Sequence, residues 1–457
     1  MKVCKFGGSS LADAAQLNKV IDIVLADPAR KIVVVSAPGK RNSGDTKVTD
    51  LLIALAKAAL NGENTDAPLK AVVDRYAEIA ADLKLGDEIV RKIEDDLKGR
   101  LAQVKTLKPE EFMDLLKAAG EDNNAKLVAV AFEGRGKRAR YASPKDTGMV
   151  LEGKFGDATL NPESYARLAK AFSNFEGIVI YPGFFGYTKD GKVATFPRGG
   201  SDITGSILAA AVRADVYENF TDVDSVYPCD PRIVEEVKDG EGIPTMTYRE
   251  MRELAYAGFG VFNDDAVIPA VKARIPINIR NTNDPEAAGT LIVESTCQKP
   301  DYTITGIAGK KGFVAVSIDK DMMNAEVGFC RKALQAFEEN GISIEHMPSG
   351  IDTMTVFVHQ EEFEGKEQQV ISSLRRLTHP DVIDLEADLG LIAVVGRGMK
   401  STRGTAGRIF SALAHANINV KMIDQGSSEL NIIIGVSNDD FDDAIHAIYD
   451  IFVETRL

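Results

Sequence analysis

The first 345 residues contain no histidine; all five, His346, His359, His379, His415 and His446, fall in the last quarter of the chain. Chemistry in the N-terminal part therefore has no histidine general base, which excludes Ser-His and Cys-His nucleophilic catalysis there. Phosphoryl transfer to an already ionised carboxylate needs no strong base, since positioning and charge neutralisation can carry it. Cysteines are few: Cys4, Cys229, Cys297 and Cys330 lie far apart without zinc or redox spacing, so neither disulfides nor zinc are expected. No Gly-Lys-Ser or Gly-Lys-Thr occurs, so there is no Walker loop, and no three-glycine dinucleotide fingerprint either. Apolar runs stay short of the roughly 18 residues that span a bilayer, and no signal-peptide pattern opens the chain, which places it in the cytoplasm. Positive charge is in deficit, with 54 Lys and Arg against 68 Asp and Glu and a net charge of -14. Non-specific binding to nucleic acid or membrane is not expected, and an anionic substrate must meet a local basic pocket.

What is present is the profile of a soluble globular protein of two to four domains, with 457 residues, 44% hydrophobic and 27% charged. The chain opens with an apolar strand, Val3-Cys4-Lys5-Phe6, then Gly7-Gly8-Ser9-Ser10 and a helical segment from Asp13. Two glycines let backbone approach a ligand, a helix N-terminus attracts anions, and Lys5 adds a cation, which outlines a phosphate site. Taken alone, the segment is equally a tight turn with a solvated lysine. Residues 31–37 read as a buried strand, followed by a ligand-facing loop at 38–47. Helical periodicity covers 49–60 and then 67–119, punctuated by Gly62, Pro68, Gly86 and Pro109, and suggests a helical insertion or lid. Residues 127–132 and 177–181 read as further strands, and 187–196 as a hairpin turning at Asp190-Gly191.

A second corner repeats the logic of the first. Phe196-Pro197-Arg198-Gly199-Gly200-Ser201-Asp202 precedes a helical pattern over 203–211. Arg198 can grip a carboxylate bidentately and Asp202 can pair with an amine or a nearby lysine, so one amino-acid substrate satisfies both charges. A strand over 215–220 ends in Thr221-Asp222, before a loop with Tyr227 and Asp230-Pro231-Arg232; ligands of α/β sheets bind at such carboxyl ends.

On these residues the chain resembles the aspartokinases of the amino acid kinase family over nearly its whole length. The resemblance implies a three-layer α/β/α sandwich built on an eight-stranded-type sheet. Lys5, Phe6, Gly7, Gly8 and Ser9 are similar to the family's opening motif at the phosphates of ATP. Thr49 matches the threonine that contacts aspartate, and Glu121, in Ala119-Gly120-Glu121, the substrate-binding glutamate. Arg198, Gly200, Ser201 and Asp202 match the segment that holds the substrate carboxylate and organises the reacting groups. Thr221, Asp222, Tyr227 and Arg232 match nucleotide-binding positions, and Lys5 and Asp202 are expected to be catalytic, with Mg2+ arriving with the nucleotide. Two departures stand out: Ala118-Ala119 replaces a serine and a variable residue, and Gly258-Phe259-Gly260 with Asn263-Asp264 replaces glycine-alanine-lysine and histidine-proline. One lost charge-assisted phosphate contact, about 1.5 to 3 kcal/mol, implies weaker ATP binding unless Arg232, Lys272 or metal compensates, and Gly260→Lys tests it.

From about residue 303 the character changes to a weak internal repeat in which Ile342 and Gly350 correspond to Ile418 and Gly426 at an offset of 76 residues. Each copy reads as strand (313–318; 391–395), amphipathic helix, Ile342-Ser343-Ile344 or Ile418-Asn419-Val420, and a further apolar strand. The pair resembles tandem α+β ferredoxin-like ACT modules, which sense small molecules; a purely structural dimerisation domain is the alternative. By resemblance the effector site comprises Asp321, Met322, Met323 and Asn324 with Glu345, Met347, Ser349 and Gly350, with lysine expected ahead of threonine. The expected domains are a catalytic one over 1–297, with a helical insertion about 62–120, and a regulatory one over 298–457, whose copies span about 312–380 and 388–457, their interleaving left open. The reading is an ATP-dependent kinase acting on the side-chain carboxylate of L-aspartate and serving lysine, threonine and methionine synthesis. It expects feedback by an amino acid, a homodimer through the ACT modules that can pair further, and no fused dehydrogenase. A regulatory subunit with a decayed kinase site and a kinase acting on glutamate are the rival readings.

Overall fold

Short β-branched runs supply the strands that meet at the centre of the molecule's larger sheet. In the computed structural model, residues 1–239, 242–259, 264–296 and 303–453 are described. They divide into one unit of Met1–Val226, Gly242–Tyr248 and Asn263–Ser295 and a second of Tyr227–Glu241, Arg249–Phe262 and Thr296–Leu457. The sequence boundary expected at 297 is thus crossed in space by two earlier segments that group with the C-terminal part. Cys297, Gly260 and Asn263 lie outside the described residues. Among the described residues no helix is long and apolar enough to cross a membrane.

The first unit contains β1 (Lys2–Phe6), β2 (Arg30–Val35), β3 (Ala139–Tyr141), β4 (Leu151–Lys154), β5 (Asp157–Leu160), β6 (Ile178–Pro182), β7 (Phe185–Tyr187), β8 (Val193–Thr195), β9 (Val216–Thr221), β10 (Thr245–Thr247), β11 (Ile277–Asn281) and β12 (Thr290–Val293). Eight of these form one sheet in the order β10-β12-β11-β9-β1-β2-β6-β3, parallel except for β11 against β12. Strand order reverses at β1, between β2 and β9, and ligands of open α/β sheets bind outside the carboxyl ends of strands at such a point. Helices α1 (Ala14–Ala26), α2 (Val48–Leu60), α3 (Asp66–Asp82), α4 (Asp87–Leu101), α5 (Pro109–Lys117) and α6 (Ala119–Gly134) follow the first strands. Asp13 caps α1 by accepting the Gln16 N–H at 2.9 Å. Phe6, Val33, Val35, Leu52, Tyr76, Phe112, Leu127 and Phe132 join one core between the sheet and these helices.

Residues 127–132, expected as a strand, lie inside α6. Ala125, Leu127, Val128, Ala129, Ala131 and Phe132 are all buried, because α6 is enclosed by the sheet and by its neighbouring helices. Burial on every side erases the 3.6-residue period that distinguishes a helix from a buried strand.

The second unit carries β13 (Gly306–Asp319), β14 (Thr353–His359), β15 (Val382–Val395), β16 (Met422–Asp424) and β17 (Asn431–Ser437) in one antiparallel sheet, ordered β14-β13-β15-β17-β16. β13 and β15 are each 14 residues long and pair along their lengths. The first half of β13, Gly306 to Lys311, pairs with the half of β15 that borders β17, while Phe313 to Asp319 pair with β14. Each half of the sheet thus draws on both long strands, β13 and β15. Residues 342–344, expected as strand, are not one; the chain instead runs irregularly along β14, with Glu345 N–H donating to the Phe357 carbonyl and Phe357 N–H to the His346 carbonyl. Two apolar cores, one around Val316, Phe337 and Leu374 and one around Ile392, Ile434 and Ile448, lie under the two halves.

Candidate active site

Alternation along β1 and β9 sorts their side chains onto two faces. Cys4 and Phe6 align with Glu218 and Phe220 on one face, and Lys5 aligns with Asn219 on the other. On the first face the Phe6 and Phe220 rings stack with centroids 4.7 Å apart. Beside them Glu218 is closed off from water, accepting from Arg30 Nε at 2.6 Å and Nη2 at 3.0 Å and from Cys4 Sγ at 3.2 Å, with Lys2 at 3.3 Å. Burial raises the Cys4 thiol pKa well above its ordinary value, whereas for Glu218 burial is outweighed by the Arg30 bonds, which hold the carboxyl below its usual range. This face is structural.

The opposite face carries Lys5 and Asn219. Lys5 Nζ lies 2.7 Å from Oδ1 of Asp202, at the start of the helix Gly200–Val212. That oxygen also accepts from Asn219 Nδ2 at 2.9 Å. The glycines permit the closeness: a Cβ on Gly200 would sit 2.6 Å from the Phe184 ring, and Gly199 caps the helix at φ 84°. Ser201 is nearly buried and packs on Gly183. Phe184 closes a γ-turn, with Phe185 N–H donating to the Gly183 carbonyl at 3.0 Å and φ 76° at Phe184. A non-glycine residue held there stores about 1 to 3 kcal/mol of strain, a common mark of a functional edge. Arg198 is exposed on the turn before Gly199.

Gly7 and Gly8 face this group. A Cβ on Gly7 would lie 3.5 Å from Lys5 Nζ, so the ammonium curls over the glycine turn. The turn feeds a single 3-10 turn, Ser9–Leu11, before α1, with Ser9 exposed and Ser10 Oγ 2.7 Å from Thr282 Oγ1. Gly8 is backed by the loop after β2, whose Gly39 N–H donates to the Gly8 carbonyl at 2.8 Å. Arg75 of α3 fastens that loop, donating to the Gly39 carbonyl at 2.6 Å, the Ala12 carbonyl at 3.1 Å and Asp45 Oδ2 at 2.6 Å. With Arg41 and Arg75 both donating to it, the Asp45 carboxyl is held well below the usual carboxylate range.

Glu121, the third residue of α6, is buried near the Ala37 backbone, and its Oε2 has no partner among the described residues. Burial pushes it up to about 8. Gly120 brings it there: a Cβ would lie 2.8 Å from that of Ala37 and 3.2 Å from Leu52 of α2. Thr49, half-buried, is in the first turn of the same α2. Thr221 Oγ1 donates to Asp222 Oδ1 at 3.1 Å at the end of β9.

The fold therefore gathers Lys5 with Asp202, Gly8 with Gly39, and Glu121 with Ala37. Tyr227 and Arg232 belong to the second unit, Tyr227 against its core and Arg232 forked onto Asp230 at 2.6 and 3.1 Å. Asn219, Gly39, Arg75 and the Phe184 turn are absent from the sequence reading. An asparagine inside the apolar run 216–220 is the one of these that leaves a signal, since a polar side chain there needs a partner.

In the second unit, Asn324 N–H donates to the Ile351 carbonyl at 3.1 Å, drawing the 321–324 loop beside Gly350. Met322 is exposed and Met323 buried; Asp321 N–H donates to Asp381 at 2.8 Å. Met347 and Ser349 are exposed along the run beside β14. The Glu345 carboxylate is 3.1 Å from His359 Nε2, whose ring packs on Phe313.

Residues 1–281 match the amino acid kinase family and residues 392–452 the ACT domain. The chain is 50% identical to aspartokinase 3 of Bacillus subtilis, over 99% of this chain and 98% of that protein. Its fold matches the crystal structure of Clostridium acetobutylicum aspartate kinase with a TM-score of 0.87 and 39% identity, covering 99% of this chain and 100% of that one. Escherichia coli aspartokinase III, 25% identical and matched over 99% of both chains, aligns with TM-scores of 0.77 in complex with aspartate and ADP (R-state) and 0.73 with lysine and aspartate (T-state).

Proposed function

This chain belongs to the amino acid kinase family, among its aspartokinases, and we infer the following division of labour for its site. The enzyme transfers the γ-phosphoryl group of ATP to the side-chain carboxylate of L-aspartate, giving 4-phospho-L-aspartate and ADP. The Lys5 and Asp202 pair, set between two glycine corners at the sheet's reversal point, is the observation that carries the assignment. A substrate carboxylate oxygen attacks the γ-phosphorus as the bond to the bridging oxygen of ADP breaks. The nucleophile is already ionised, so no general base is required, and catalysis falls to positioning and to neutralising the charge on the transferred group.

Lys5, Phe6, Gly7, Gly8 and Ser9 receive the phosphates, with Thr221, Asp222, Tyr227 and Arg232 as further nucleotide contacts. Lys5 neutralises the transferring phosphoryl group and Asp202 holds Lys5 in place. Arg198 grips the α-carboxylate of aspartate, with Gly200 and Ser201 beside it. The unpartnered Oε2 of Glu121 suits the ammonium group, and Thr49 completes the cradle. Mg2+ enters as the nucleotide complex, and at this strand end the exposed carboxylates of Asp222 and Asp224 are oxygen donors of the kind it takes.

The ACT pair supports an amino-acid effector, lysine ahead of threonine, in keeping with the lysine complex of the Escherichia coli protein. Its site comprises Asp321, Met322, Met323, Asn324, Glu345, Met347, Ser349 and Gly350, and assembly is as a homodimer through these modules. The product then feeds lysine, threonine and methionine synthesis. Trapping the acyl phosphate as the hydroxamate, with MgATP and L-aspartate beside L-glutamate and with each effector added, tests the reading. Aspartate-dependent product that falls with lysine is expected; no product with any substrate would overturn it.

A further inference from the structure

We propose that Asn219 is a positioning residue for phosphoryl transfer: it holds the Asp202 carboxylate steady while Lys5 is handed from Asp202 to the phosphates. The proposal rests on the kinase reading above. Asn219 stands opposite Lys5 in the β1 and β9 register, on the same face of the sheet. Its Nδ2 and Lys5 Nζ converge on a single oxygen, Asp202 Oδ1, at 2.9 and 2.7 Å. The orientation of the amide is dictated chemically, since an ionised carboxylate has no hydrogen to give and must receive the NH2 end. Two further contacts hold the Asp202 backbone: the Tyr217 hydroxyl donates to its carbonyl at 3.2 Å, and the Gly199 carbonyl accepts its N–H at 2.9 Å. Neither replaces Lys5 on the side chain.

A lysine paired with a carboxylate is of little use to a phosphoryl group unless it can leave. Separation strands the carboxylate in a partly desolvated place, and a stranded buried charge is costly. Asn219 lowers that cost by keeping a donor on Oδ1 throughout, so the carboxylate neither swings after the lysine nor loses its last partner. The other end of the amide points the same way. Asn219 Oδ1 is buried with no partner among the described residues, in a strand position where an apolar side chain would leave no such debt. It is an open acceptor beside strand β1, available to an ammonium proton of Lys5 as that group turns.

The test is steady-state kinetics on the full chain for Asn219→Leu, Asp202→Asn and the double variant, with unfolding midpoints measured alongside. Asn219→Leu is expected to lower kcat by about ten- to a hundredfold, the usual scale for partners that orient a catalytic group, with both KM values changed less than about threefold. Its unfolding midpoint should not fall, because an unsatisfied buried oxygen has been removed. In the Asp202→Asn background the further loss should be under about twofold, since a residue acting through Asp202 has nothing left to hold. Asn219→Asp keeps the shape and decides the matter if the leucine variant does not fold. The introduced carboxyl group should slow the enzyme at pH 7 and restore rate as pH is lowered and it becomes protonated, when it can again donate to Asp202. A leucine variant within twofold of the parent kcat, an equal loss in both backgrounds, or an aspartate variant with parental rate and pH profile would overturn the proposal. Absence of aspartyl hydroxamate from the unmodified enzyme would instead sink the kinase reading itself.

Discussion

Gly39 lies so close to Gly8 that a Cβ on Gly39 would be 2.5 Å from the Gly8 carbonyl carbon and 2.8 Å from the Ser9 nitrogen. Backbone stands on both sides of the contact, so no side-chain rotation relieves it. Gly39→Ala should push the loop off the phosphate corner, raise KM for ATP at least about tenfold and lower stability by about 1 to 3 kcal/mol. Kinetics at saturating aspartate and a urea titration check both; unchanged ATP saturation would separate this contact from nucleotide binding.

Arg75 fastens the same loop from within the helical insertion. Arg75→Met removes the buried donor shared by two carbonyls and Asp45, and should cost about 2 to 4 kcal/mol while leaving the 39–47 loop open to proteolysis. Unaltered cleavage there would show that Arg41 alone suffices.

Lys5→Ala should reduce kcat far more than it alters aspartate affinity, because the charge it meets develops on the phosphoryl group. For Arg198→Ala the reverse holds: a lost bidentate carboxylate contact of about 1.5 to 3 kcal/mol should raise KM for aspartate about ten- to a hundredfold. The split between kcat and KM in the two variants is the measurement, and parental kinetics in either removes its role.

The proposed contact of Glu121 with the substrate ammonium makes substrate binding depend on pH. Its folded value near 8 lies above its ordinary 4.5, so the folded state binds the extra proton between these values. Its contribution to stability is present below about pH 4.5 and is lost as pH rises through about 8. An ammonium group placed on Oε2 favours the ionised carboxylate, so aspartate should bind more tightly as pH rises from 6 to 8, with proton release. Glu121→Gln should abolish that slope in calorimetry, and a slope that survives would assign it elsewhere.

Glu218→Gln tests the structural face of the sheet. Arg30 would be left buried without its carboxylate, a loss of about 3 to 5 kcal/mol in chemical denaturation. A much smaller loss would mean that water reaches Arg30.

Local chemistry was written in the chain. Gly7-Gly8 after a strand, Arg198 to Asp202 before a helix, and the absence of histidine from the first 345 residues are properties of neighbours in sequence, and they pointed to the family and its class of reaction. So did the 76-residue repeat, because each copy repeats its own local pattern. Contacts between remote segments were not legible. Asn219 meets Asp202 only because β9 pairs with β1 in one register, and Arg75 reaches Gly39 only because α3 packs over the loop. Residues 127–132 were misread because a helix enclosed on all sides loses the periodicity that marks it. The allocation of 227–241 to the C-terminal unit, with Cys229, Val234 and Val237 in its core, likewise came from packing. Backbone preference and charge spacing act over a few residues, so sequence alone determined the family and the class of reaction; burial and register act across hundreds, so only the tertiary structure decided what each group touches.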